Sequence, residues 1–387
     1  MKVAIIHYWL IHQRGGEKVL KALLRMFPQA DLFTHVFDAG AFPEISRRHR
    51  VYTTFINRLP RATKWYQHYL PLMPIALERL DLRSYDLIIS CESGPAKGII
   101  PPPDALHICY CHSPMRYLWD TYFDYHHHAS RPSRLLMPLA AHYLRQWDIS
   151  TAARVDKFLT NSSFVARRIH KYYRREAEVV YPPVAIDHLT PEHGLKDEGF
   201  YLYFGQLVPY KRPDLAVDAF NRLGKPLVVI GIGPMLETLR RRARPNITFL
   251  GWQNDERLRH YLQRCRAVIF PALEDFGLVP VEAAACGKPT IAYGRGGACE
   301  TVIDGETGIL FEEQTVDSLI GAIDSLEQGA HRFDPQTLMH HATQFSPQRF
   351  EDAFWNAIRP LLGPGKTTRP QRIPPIRVVT PNQDTGT

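Results

Sequence analysis

The chain has 387 residues, 45% hydrophobic and 22% charged, with 24 glycines and 31 prolines; this excludes a disordered or fibrous protein and predicts two or three domains of roughly 100–200 residues each. No apolar run reaches the roughly 18–20 residues that cross a membrane, and VAII at 3–6 is too short for a secretory signal core, so a soluble, cytoplasmic protein is expected. Net charge is +8, yet residues 1–190 hold 25 Lys and Arg against 16 Asp and Glu, +9, while 191–387 hold 22 against 23, −1. The first half is therefore expected to face an anionic partner: nucleic acid, phospholipid headgroups or a phosphate-bearing substrate.

In chain order, VAIIHYWL at 3–10, the glycine turn RGGEK at 14–18 and VLKALLRMF at 19–27 read as strand, turn and helix. Apolar runs at 86–90, 107–110 and 157–160 alternate with helical stretches, as expected of parallel strands buried on both faces. Cys91, Cys109, Cys111, Cys265, Cys286 and Cys299 show no CxxC pairing and are read as buried thiols. The segment 181–199, with Pro182, Pro183 and Pro191, breaks regular structure and marks a domain boundary. The pattern then restarts with strands at 201–205, 226–231, 247–251, 267–272 and 289–294, a second doubly wound α/β unit. At 346–362, Ser346 and Pro347 cap a helix with Phe350, Phe354 and Ile358 on one face. Residues 364–387, with five prolines and a charge of +3, are expected not to fold. GPGKT at 363–367 fails as a phosphate loop, because Pro360 stands where the first glycine belongs.

Ligands of open parallel sheets bind beyond the carboxyl ends of the strands, so the loops there carry the search. PALEDFGLVPVEAAACGKP at 271–289 places Glu274 and Asp275 in a turn, Gly277 before a helix and Glu282 just inside it. The amides of Gly277, Leu278 and Val279 then form a helix N-terminus fit for a diphosphate, and Glu282 can accept hydrogen bonds from a pair of hydroxyls. GQLVPYKRPDLAV at 205–217 brings Gly205, Gln206, Lys211 and Arg212 to the same face, where a lysine can neutralise leaving-group charge. A third loop, 293–308, adds Gly294, Arg295, Gly296 and Gly297, whose glycines let backbone approach a ligand.

Together these loops resemble the donor half of retaining glycosyltransferases of the GT-B fold, family 4, also called group 1. The family signature is a pair of glutamates separated by seven intervening residues about a helix-starting glycine, matched by Glu274 and Glu282. RGGEK is similar to the family's glycine-pair loop, and CYCHSPMRYLWD at 109–120 resembles bacterial O-antigen and exopolysaccharide mannosyltransferases. The resemblance spans essentially residues 1–360. It implies two Rossmann-like domains facing across a cleft: 1–185 for the acceptor, 196–345 for the nucleotide-sugar donor, and a helix at 346–363 crossing back. By the same resemblance Glu282 binds the ribose and Glu274 the donor sugar. Lys211 and the amides around Gly277 hold the diphosphate, with Arg212 and Arg295 as further cations. Gly15 and Gly16 face the donor phosphate or acceptor, and His112 is the cleft histidine beside the reacting groups. Many relatives carry arginine where this chain has the uncharged Gln206.

The reaction implied is front-face transfer of a hexose with retained configuration. The expected donor is GDP-mannose and the acceptor a lipid-linked glycan precursor. No Asp-x-Asp occurs in the chain, and neither metal nor cofactor is expected. Two segments mixing basic and aromatic residues, 58–74 and 167–176, suit an anionic membrane at the inner cytoplasmic face. The run Cys109, Cys111, His112 with the histidines at 126–128 matches no common zinc spacing. Alternatives are a UDP-sugar donor, a noncatalytic sugar-nucleotide sensor, and a basic nucleic-acid-binding protein, although no helix-turn-helix or RNA-binding signature is present. An NAD-linked oxidoreductase would need a GxGxxG turn that RGGEK does not supply.

Overall fold

The computed structural model describes residues 1–13, 15–189 and 197–362. The expectations for Arg14 in the RGGEK turn and for the tail 364–387 fall outside these residues.

The first unit is a seven-stranded parallel sheet: β1 (Val3–His7), β2 (Asp31–Thr34), β3 (Val51–Thr53), β4 (Leu87–Glu92), β5 (Leu106–Cys111), β6 (Lys157–Thr160) and β7 (Ala177–Val179), in the order β3-β2-β1-β4-β5-β6-β7. Every residue of β1 and β4 is buried, and Ile5, Ile89 and Ile108 stand in register across β1, β4 and β5. Helices cover both faces of such a sheet, which is why its central strands are continuous apolar runs rather than alternating ones.

The second unit repeats the plan with six parallel strands: β8 (Tyr201–Phe204), β9 (Leu227–Ile230), β10 (Ile247–Gly251), β11 (Val268–Phe270), β12 (Thr290–Tyr293) and β13 (Gly308–Phe311), in the order β10-β9-β8-β11-β12-β13. Strand order reverses between β1 and β4 and again between β8 and β11, so each sheet opens a crevice at its switch point. The sequence reading omits β2, β3, β7 and β13. The edge strands β3 and β7 have three residues each and no fully buried position, too little apolar length to register as a run.

The expected C-terminal helix runs Pro347–Ile358, with the Ser346 hydroxyl accepting from the Arg349 amide at 3.4 Å. It packs on the first unit: Phe350, Phe354, Trp355 and Ile358 join the core of Val19, Leu20, Leu23 and Ile89. Trp355 lies 5.2 Å from Phe27 and Phe350 lies 5.9 Å from Tyr110, ring to ring. At roughly 1.5–3 kcal/mol per buried large side chain, this face holds the chain end across both units. Five cysteines are buried as expected, whereas Cys299 is exposed. It sits on the four-residue helix Ala298–Thr301, too short to cover both its sides.

Candidate active site in the interdomain cleft

Between the two units lies a cleft of about 1400 Å³. Its walls bring together Gly15, Gly16 and His112 from the first unit with Gly205, Gln206, Lys211, Glu274, Gly277, Leu278, Val279 and Glu282 from the second. Two predicted residues do not join them. Arg212, left-handed at φ 51°, turns its guanidinium onto the Asp214 carboxylate at 3.0 Å and Gln314 at 3.3 Å. Arg295 is exposed and outside the lining, because its own loop packs behind the one that carries Glu274.

On the donor side Gly277, at φ 92°, turns the chain into the helix Leu278–Ala285, whose first turn carries Pro280. That backbone suits glycine and leaves the amides of Leu278 and Val279 without intrahelical partners, at the positive end of the helix. The glycines after β12 serve a different purpose from the one expected. A side chain at Gly297 would meet the Phe276 backbone at 2.3 Å, and its amide donates to the Glu274 carbonyl at 2.9 Å. These glycines therefore let backbone press against the glutamate loop rather than against a ligand.

Lys211 Nζ lies 2.7 Å from Glu274 Oε1. Burial works against the lysine charge, but the Glu274 carboxylate outweighs it and raises the pKa above the ordinary lysine value. The site thus keeps a fixed cation beside the amides. Across the cleft, His112 follows β5 with Nε2 3.1 Å from Cys91 Sγ, and burial, then the nearby His7, lower its pKa to about 3. A neutral imidazole therefore faces the cleft at physiological pH. Beneath it, the fully buried His7 sits 3.7 Å from Glu17 in the first turn of the helix Gly15–Met26.

Several functional residues were not found from the sequence, because each acts across the cleft. Lys18 Nζ meets Glu282 Oε1 at 2.7 Å. Arg168 bridges Asp275 at 2.5 Å and Asp120 at 2.7 Å, and Ser162 Oγ donates to the Asp275 carbonyl at 2.5 Å. Glu300 accepts the amides of Ser163 at 3.0 Å and Phe164 at 3.3 Å, placing a carboxylate of one unit at the N-terminus of the helix Ser163–Tyr173 of the other. These contacts take up part of the basic segment 167–176. Arg168 is taken up by the clasp, and Arg175 donates to the carbonyls of Ala152 and Val155, both at 2.7 Å, while Arg167, Lys171 and Arg174 stay exposed.

Behind the clasp Lys97, Glu92 and Asp148 are fully buried together. Lys97 Nζ bonds Glu92 Oε1 at 2.9 Å, Asp148 Oδ1, and Tyr173 Oη at 3.3 Å. Burial opposes the Lys97 charge, and the Asp148 and Glu92 carboxylates outweigh it and raise its pKa. The network ties the end of β4 to the helices Arg131–Ala152 and Ser163–Tyr173, the second of which carries Arg168.

Two Rossmann-like parallel sheets facing a shared cleft define a GT-B protein. The family model of glycosyl transferases group 1 matches residues 186–337 and that of glycosyltransferase family 4 matches 13–188. The chain belongs to the group 1, family 4 glycosyltransferases. It is 30% identical over 248 residues to the D-inositol 3-phosphate glycosyltransferase of Mycobacterium leprae, covering 56% of this chain and 58% of that one. It is 28% identical over 219 residues to a GDP-mannose-dependent alpha-(1-6)-phosphatidylinositol monomannoside mannosyltransferase of Mycolicibacterium smegmatis, 46% of this chain and 57% of that one. The chain spans about half the length of the curated relatives it matches. In fold it is similar to sucrose-phosphate synthase from Thermosynechococcus elongatus, with a TM-score of 0.70 at 18% identity over 93% of this chain and 99% of that one.

Proposed function

We propose that this chain is a retaining, metal-independent hexosyltransferase that moves mannose from GDP-mannose to a lipid-linked glycan precursor at the inner face of the cytoplasmic membrane, in cell-surface polysaccharide synthesis. The observation that carries the reading is the convergence of Lys211, the Leu278 and Val279 amides, Glu274 and Glu282 on one cleft wall. The amides and the buried lysine stabilise charge on a departing diphosphate, as a divalent cation does elsewhere. Gln206 brings no charge, and Arg116 of the opposite unit, lining the cleft with its guanidinium 5.7 Å from the Tyr210 ring, supplies a second cation.

In the reaction proposed, the bond from the sugar anomeric carbon to the β-phosphate oxygen breaks. An acceptor hydroxyl attacks from the same face and gives its proton to the departing phosphate. Glu274 orients the sugar hydroxyls, and neutral His112 hydrogen-bonds the sugar or the acceptor. Guanine is favoured by Asp255, which lines the donor half beside Leu258. A carboxylate only accepts, and guanine alone among the common bases presents adjacent N1–H and N2–H donors. Mannose is supported by the GDP-mannose-dependent relative.

Calorimetric titration with GDP, UDP, ADP and dTDP, with and without EDTA, tests the reading. It is followed by product analysis with GDP-mannose and a lipid extract. GDP binding that survives EDTA and loses its preference in Asp255→Asn is expected. Preference for UDP would overturn the mannose assignment. Failure of every nucleotide, with salt-dependent DNA binding instead, would overturn the transferase.

A further inference from the structure

The helix Arg131–Ala152 is apolar on two sides, and among the described residues protein covers only one of them. Ala141, Leu144 and Trp147 pack inward against Leu82, Ile88 and Met115. On the other side Leu135, Leu136 and Leu139 are 78%, 64% and 74% exposed, with Tyr143 exposed next to them. At 100° per residue these four fall within an arc of about 100°. No other helix of the described residues exposes more than one leucine. A contiguous uncovered apolar face of this kind marks an interface.

Two observations choose the occupant. From Tyr125 to Trp147 the chain has no carboxylate, while Arg131 and Arg134 stand exposed at the start of the helix. Ser130, Ser133 and Met137 of the same first turns line the cleft, as do Gln67 and His68 of the segment whose Trp65 and Leu72 are also exposed. The apolar ridge and its cations therefore border the mouth of the cleft. We propose that this face docks on an anionic phospholipid bilayer, the leucines entering the acyl boundary and the arginines meeting headgroups. No helix among the described residues is long and apolar enough to cross a membrane, so the helix lies along the surface. Resting on the function proposed above, this docking would bring the headgroup of a lipid-linked acceptor to the cleft without lifting its chain from the bilayer.

The test is co-flotation of the full chain with vesicles of phosphatidylcholine alone and of an equal mixture with phosphatidylglycerol. Preference for the mixture is expected. The triple variant Leu135→Gln, Leu136→Gln, Leu139→Gln should lower partitioning about 1000-fold, given roughly tenfold per inserted leucine. The pair Arg131→Gln, Arg134→Gln should lower it about 25-fold at low salt and flatten the salt dependence. Both variants should bind GDP as the parent does, which shows that the fold and the donor site are intact. Vesicle binding unchanged in the triple variant, or absent in the parent, would overturn the docking and leave the transferase standing. Concentration-dependent self-association of the parent in sedimentation velocity, lost in the triple variant, would assign the face to a second copy and overturn it as well. Ridge-dependent flotation by a chain that binds no nucleotide would support the docking and sink the transferase instead.

Discussion

Lys18 and Glu282 meet across the cleft at 2.7 Å, so the carboxylate proposed to take a ribose already carries a cation. A nucleotide must displace Lys18 before Glu282 can accept from the ribose hydroxyls, and the two halves of that exchange have separable sizes. The Lys18 side chain is 42% exposed and that of Glu282 17%, and a pair so placed is worth about 1 kcal/mol after solvent screening. Removing the competitor in Lys18→Met should therefore tighten GDP binding about fivefold. Two hydrogen bonds from hydroxyls to a charged acceptor contribute about 3 kcal/mol. Less the about 1 kcal/mol needed to displace Lys18, some 2 kcal/mol remains, so Glu282→Ala should weaken GDP roughly 30-fold. Calorimetry on the two single variants and the double variant closes the cycle, and Lys18→Met should change nothing once Glu282 is gone. Raising the ionic strength should shrink the Lys18→Met effect. Weaker GDP binding in Lys18→Met would show that the lysine touches the donor instead of competing with it. Persistence of the tightening in the double variant would refute the coupling outright.

Arg168→Ala removes a 13% exposed guanidinium from between Asp275 and Asp120; because it ties the Asp275 loop to the first unit from outside the cleft lining, turnover should fall about tenfold with the GDP Kd shifted less than twofold, and an equal loss of GDP affinity would refute a positioning role. Lys97→Met leaves Glu92 and Asp148 buried without their cation and should lower urea stability by about 3–5 kcal/mol; an unmoved midpoint would contradict the buried network. Burial lowers the pKa of His35 to about 3 and of His107 to about 4. The unfolded chain therefore takes up their protons first as pH falls below about 6.5, and stability present above that pH drops by about 1.4 kcal/mol per pH unit for each histidine on the way to pH 4. Urea midpoints that stay level between pH 6.5 and 5 would show that these histidines are protonated in the folded protein.

The sequence by itself determined whatever is set by neighbours along the chain. Runs such as VAIIH and TIAY can only be strands buried on both faces, so the loops after them, and with them Glu274, Gly277 and Glu282, could be placed at strand ends. Ser346, Pro347 and the spacing of Phe350, Phe354 and Ile358 specified a helix with one face to bury. Which surface receives that face, against Phe27 and Tyr110, was a tertiary decision. So were the contacts that make the cleft a site: Lys18 with Glu282, 264 residues apart, Arg168 with Asp275, 107 apart, and Glu300 with Ser163, 137 apart. No local pattern encodes such partners, because a charged side chain is equally at home in water until a second unit presents its counter-charge. Arg175 and Leu135 show the same rule from opposite sides. The arginine, in a segment read as membrane surface, donates to buried carbonyls, while the apolar leucine stays 78% exposed, because burial depends on what packs above a residue rather than on the residue itself.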